Sequence, residues 1–122
     1  MKQLISFFEI PAADFDRAVT FYERIFDLKL TRCDCGEEKM GFFPDPETGP
    51  RGAVSLAKGF DPAPGGVLIS FAIEGIDTVL SKVLVSGGGV VIPKTAIDAE
   101  GQGYFAVFSD TEGNRIGLHG QV

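Results

Sequence analysis

The tetrapeptide Leu4-Ile5-Ser6-Phe7 returns as Leu68-Ile69-Ser70-Phe71, and each copy runs into a helix-like stretch and then into strand-like segments. No other feature limits the possible folds as much, because an internal repeat of this kind implies two similar units that share a core. In the first half, Phe15, Ala18, Val19, Tyr22, Ile25 and Phe26 recur at helical spacing over residues 15 to 26, with Asp14 placed to cap the N-terminus. In the second half, Ile76, Val79, Leu80, Val83 and Leu84 follow the same period, and Gly87 to Gly89 should end the helix. Segments rich in β-branched and aromatic residues follow each helix, at about 28 to 34, 38 to 43 and 52 to 58, then at 90 to 94, 103 to 109 and 114 to 119. The expected fold is α+β: two tandem βαβββ modules forming a concave mixed sheet or partial barrel with the helices outside.

With 122 residues, 44% hydrophobic and 23% charged, the chain suits one domain over 1–122. Module one covers about 1–60 and module two about 66–122. Phe60-Asp61-Pro62-Ala63-Pro64-Gly65-Gly66 breaks helix and strand alike and is the natural connection between them. Pro44 to Pro50 is a second breaker segment, read as an exposed loop with a mobile lid as the alternative. Seventeen acidic residues against 11 basic ones give a net charge of −6, and no Lys/Arg run could neutralise successive phosphates, so nucleic acid is an unfavoured partner. An acidic surface attracts cationic small molecules. The apolar runs fall short of the roughly 20 residues that cross a bilayer, and Glu9 interrupts the only signal-like one, so neither membrane association nor export is expected and the default compartment is cytoplasmic. Cys33 and Cys35, about 6.6 Å apart if both lie in one strand, are expected as free, half-buried thiols; two ligands are too few for structural zinc. The Gly87-Gly88-Gly89 run follows a helix instead of preceding one, so it is not a phosphate cradle.

Strand alternation sorts the side chains into two faces. Phe8 and Ile10, Val54 and Leu56, Ile69, Phe71 and Ile73, and Ile116 and Leu118 form a bulky face that suits a covering helix. The other face carries Phe7 and Glu9, Ser55 and Ala57, Leu68, Ser70 and Ala72, and Arg115, Gly117 and His119. Being small and mixed, it fits a concave surface with room for a ligand better than a second packed core.

These segments also carry a family resemblance. Phe8-Glu9-Ile10-Pro11-Ala12-Ala13-Asp14, then Arg17-Ala18 and Phe21-Tyr22-Glu23, resembles the opening of vicinal-oxygen-chelate proteins, the glyoxalase, bleomycin-resistance and dioxygenase relatives. Phe108-Ser109-Asp110-Thr111-Glu112-Gly113-Asn114-Arg115-Ile116 resembles their Asp-Pro-Asp-Gly-Asn hairpin, with Thr111 in place of proline. In metal-dependent members the resemblance implies a His on the first strand, a Glu on the fourth, a His or equivalent on the fifth and a Glu on the last. Those positions here are Phe7, Ser55, Leu68 and Gly117. Two have no donor atom, one has no side chain and one has a neutral hydroxyl, and the chain's single histidine gives even a shared dimeric site one imidazole on average. No resident metal is therefore expected, and no other cofactor is implied.

The leading expectation is a small-molecule binder with its ligand, possibly cationic or aromatic, in a groove formed by Phe7, Glu9, Ser55, Leu68, Ser70, Arg115 and Gly117. Phe42, Phe43 or Tyr104 could stack on a flat ligand. The alternative is a lyase or isomerase-like enzyme of the glyoxalase group, metal-free or with a non-standard site, using His119, Glu9 and Arg115 as catalytic groups. His119 is of a residue type suited to acid–base work and shares the open face with Gly117, although a rim position near the C-terminus is the plainer account of it. Glu9 and Arg115 could instead form a structural ion pair. A third reading is a structural or regulatory dimer whose groove its own side chains fill; the resemblance implies a homodimer in every case.

Overall fold

A computed structural model describes residues 4–122. Module one comprises β1 (Phe8–Pro11), α1 (Phe15–Phe26), β2 (Thr31–Cys35), β3 (Glu38–Phe42) and β4 (Gly52–Leu56); module two comprises β5 (Ser70–Ala72), α2 (Ile76–Val85), β6 (Gly89–Ala96), β7 (Tyr104–Ser109) and β8 (Arg115–Gly120). Each module folds its strands into a four-stranded mixed sheet, ordered β1-β4-β3-β2 and β5-β8-β7-β6. The first strand of each lies at an edge, parallel to the fourth, and the two sheets do not close into a barrel.

Local chemistry accounts for the helices. Asp14 has extended backbone and accepts the Arg17 N–H, so it caps α1, which begins at Phe15 as its apolar period requires. The C-terminus of α2 is closed by Ser86 N–H donating to Lys82 and Gly88 N–H to Val83, and Gly87, at φ 100°, makes the left-handed turn between them that a side chain would resist. Both helices set their apolar faces into one continuous core. Phe15, Val19, Tyr22 and Ile25 of α1 and Ile76, Val79, Leu80 and Val83 of α2 meet Ile10, Val54, Phe108, Ile116 and Leu118 from the sheets. The bulky strand face is thus the covered one, as alternation predicts.

The repeated tetrapeptide does not mark equivalent positions. Helix α1 starts at Phe15 and α2 at Ile76, so Phe7 corresponds to Leu68, not Phe71. Ser70 and Phe71 lie in β5, whereas Leu4 to Phe7 precede β1, with Leu4 and Ile5 exposed. The two-module reading stands on the helices and strand order instead. Cys33 is half-buried on β2; the expectation of two free thiols also concerns the Cys35 side chain, which lies outside what the structure describes. Asp45 organises the loop between β3 and β4: its Oδ1 accepts the N–H groups of Glu47 and Thr48, and its carbonyl accepts that of Gly49.

Across the modules, the turn between β7 and β8 locks onto the start of α1. Glu112 Oε1 accepts the Ala13 and Asp14 N–H groups at 2.9 and 2.8 Å, and Oε2 takes the Arg17 Nε–H at 2.8 Å. Beneath it, the buried Tyr22 hydroxyl donates to Asp110 Oδ2 at 2.6 Å, and Asn114 Nδ2 donates to that same oxygen and to the Pro11 carbonyl. Burial, reinforced by the Asp110 charge and hydrogen bond, raises the Tyr22 hydroxyl well above the ordinary phenol range, so it remains a donor.

Candidate functional cleft

The edge strands β1 and β5 face each other across the module seam, where the Phe8 and Phe71 rings meet at 5.7 Å. At the end of the seam beside Pro11 and Ile69 lies a cleft of about 310 Å³. Its walls include Glu9 from β1 and Arg115 at the start of β8, with Asn114 beside it; Phe60, Asp61 and Val67 of the inter-module connection form the remaining side. The connection is fastened there by the Ala63 N–H donating to Asn114 Oδ1 at 3.2 Å. A volume near the lower end of ordinary ligand sites suits a small organic molecule.

Glu9 and Arg115 reach this cleft without pairing. The Ser55 hydroxyl donates to Glu9 Oε1 at 2.8 Å, which fixes one carboxylate oxygen; among the described residues the other oxygen has no hydrogen-bond donor and Arg115 has no carboxylate within 4.0 Å. An oriented anion and an exposed cation therefore share one apolar-walled space. The structure does not form the Glu9–Arg115 ion pair raised as a possibility from sequence.

The other groove residues scatter along the open face. Phe7 is 38% exposed and meets the Phe42 ring edge-on at 6.1 Å. Leu68 is exposed just before β5. Ser70 pairs with Gly117 across β5 and β8, and its hydroxyl occupies the space a Cβ on Gly117 would need, 2.2 Å from that Cβ position. His119 lies four residues beyond Arg115 on β8; its Nε2 is 2.8 Å from the Gln102 carbonyl oxygen, and it is not part of the cleft wall. Phe43 is buried in the core, and Tyr104 lies beneath Lys94, whose ammonium is 4.4 Å from the ring centroid. On sequence alone Phe60 and Asp61 read only as part of the connection and Asn114 only as part of the hairpin, none of them as a site residue. The breaker residues marked the connection, but nothing local indicated that it folds back over β8.

The family's metal fits poorly here on the chemistry of the donors. Phe7 and Leu68 offer hydrocarbon, Ser55 is buried with its hydroxyl committed to Glu9, and Gly117 lies under Ser70. Among the described residues, no three His, Cys, Asp or Glu side chains converge to hold an ion.

Comparison with known proteins agrees with this architecture. The family model of the glyoxalase/bleomycin resistance protein/dioxygenase superfamily matches residues 4–118. A hypothetical protein from S. aureus is 25% identical, with a TM-score of 0.68, covering 98% of this chain and 97% of that one. A glyoxalase/bleomycin resistance protein from Albidiferax ferrireducens T118 superposes with a TM-score of 0.73 at 16% identity, over 98% of this chain and all of its own. The corresponding domain from Frankia sp. EAN1pec gives 0.74 at 18% identity, with 98% of each chain covered. A search of proteins with curated functions finds no match. No helix among the described residues is long and apolar enough to cross a membrane.

Proposed function

Because this chain belongs to the glyoxalase/bleomycin resistance protein/dioxygenase superfamily yet holds poor donors at that family's metal positions, we propose that it binds a small organic molecule in the cleft between its modules. The observation that carries this reading is the pair of unpaired opposite charges, Glu9 and Arg115, in one apolar-walled cleft. With Glu9 oriented by the Ser55 hydroxyl and no carboxylate within 4.0 Å of Arg115 among the described residues, the two groups suit a ligand with a cationic centre and an acidic or strongly polar group. Phe60 and Val67 supply the apolar contact. Binding of this kind needs no metal-polarised oxygen pair, so sequestration fits better than the oxygen-chelating chemistry of metal-dependent relatives.

A thermal-shift panel of small cations, acids, zwitterions and neutral aromatics tests the reading, since a ligand of the native state raises the melting temperature by mass action. Hits should favour zwitterions and weaken in both Glu9→Gln and Arg115→Met. Hits indifferent to both substitutions would refute the assignment of the cleft. Calorimetric titration with Ni, Zn, Fe and Mn should show no stoichiometric binding; tight binding of one ion per chain would return the site to metal chemistry.

A further inference from the structure

The other end of the seam holds a second cavity, of about 290 Å³. Its walls are the rings of Phe8, Phe26, Phe43 and Phe71, whose neighbouring centroids lie 4.7 to 5.9 Å apart, with Asp45 and Arg51 at the rim. Phe8, Phe26 and Phe71 are only half-buried although they adjoin the core, so their open surfaces line the cavity. Gly52 permits this: the Phe8 ring lies across it so closely that a Cβ there would come within 2.1 Å of a ring carbon.

The rim has one cation in a fixed place. Arg51 Nε donates to Thr48 Oγ1 at 2.8 Å and stands 3.9 Å from Asp45 Oδ2, while the other oxygen of Asp45 is occupied by the turn it organises. The terminal guanidinium nitrogens have no hydrogen-bond partner among the described residues, which leaves the part of the group that binds oxyanions bidentately available. The two spaces share no lining residue, Phe8 and Phe71 bounding this one and Glu9, Ile10 and Ile69 the cleft described above, so they are separate.

We propose that this aromatic cavity is a second ligand site, taking a flat aryl carboxylate of one or two fused rings with its rings among the phenylalanines and its acid on the terminal nitrogens of Arg51. The lining rings, one pair edge-to-face and three tilted, already pack at centroid spacings that aromatic pairs favour, and a further ring against their open surfaces would extend the same packing. The volume sets the size limit, because a larger polycycle would project past the rim.

Calorimetric titration of the full chain with 2-naphthoate, and with neutral 2-naphthylmethanol as comparator, tests this. The acid should bind one per chain and more tightly than the alcohol. Arg51→Met, a rim change that keeps the apolar stem, should weaken the acid about tenfold or more and leave the alcohol unchanged. Phe71→Leu should weaken both, and Arg115→Met neither. Equal binding by Arg51→Met, loss in Arg115→Met, or no binding of the acid at about 1 mM would each overturn the proposal. None of these results depends on whether the Glu9–Arg115 cleft binds its own ligand.

Discussion

Replacing Glu112 by Gln should cost this protein about 2 kcal/mol at neutral pH and almost nothing in strong acid. The carboxylate has no exposed surface, yet it lies shallowly, under the half-exposed Arg17. Its burial acts to raise the pKa, but the Arg17 guanidinium, the Asp14 and Ala13 N–H groups and the Thr111 hydroxyl outweigh that and lower it from 4.5 to about 2. The full shift corresponds to about 3 kcal/mol, and solvent screening at Arg17 reduces it to about 2. Because the folded-state pKa is depressed, this stability is fully present above pH 4.5 and is lost as pH falls through about 2. Urea unfolding of both proteins between pH 7 and pH 2 gives the difference directly. Glutamine keeps the size and one acceptor but carries no charge, so the gap between the curves should narrow only below about pH 4.5. A gap independent of pH, or one below about 0.5 kcal/mol at pH 7, would show that the charge on Glu112 contributes little to holding the modules together.

Tyr22→Phe should lower stability by about 1–3 kcal/mol in thermal unfolding, because it strips the 2.6 Å donor from buried Asp110 and leaves Asn114 as the side-chain partner. Gly117→Ala should cost a similar amount, about 1–3 kcal/mol, since the new methyl would collide with the Ser70 hydroxyl; in a Ser70→Gly background the same change should cost markedly less, and an unchanged cost would mean the obstruction is backbone.

What the sequence disclosed follows from the range of each interaction. The limits of α1 and its Asp14 cap were legible because period and capping act within a few residues, and the covered and open strand faces were legible because alternation is local. The start of β1 was not, since it is set by parallel pairing of Phe8 with Gly52, far along the chain. Repetition of Leu-Ile-Ser-Phe indicated duplication but in the wrong register; the helix starts give the true correspondence. At the candidate cleft, Glu9 and Arg115 were identified as facing groups, and both do line it. His119 shares their face, but four residues of strand place it about 13 Å along β8 from Arg115, too far for one small cleft. Glu112 passed as a turn residue because its partners lie 95 to 99 positions away, and no spacing rule reaches that far.

The interlock at Glu112 also bears on why poor metal donors need not disturb the fold. An ion gripped by ligands from both modules would cross-link them, and a chain relying on it would loosen when those ligands became Phe, Ser, Leu and Gly. Here the modules are joined by other means: a common core from both helices, the Glu112 carboxylate on the α1 N-terminus, and Asn114 bridging Pro11 and the connection. With the modules fixed in that way, the seam keeps its shape at both ends through these protein contacts. Changes at Glu9, Arg115 or Arg51 would spare those joints, whereas Phe71 at the seam also packs against the core and is held to both duties.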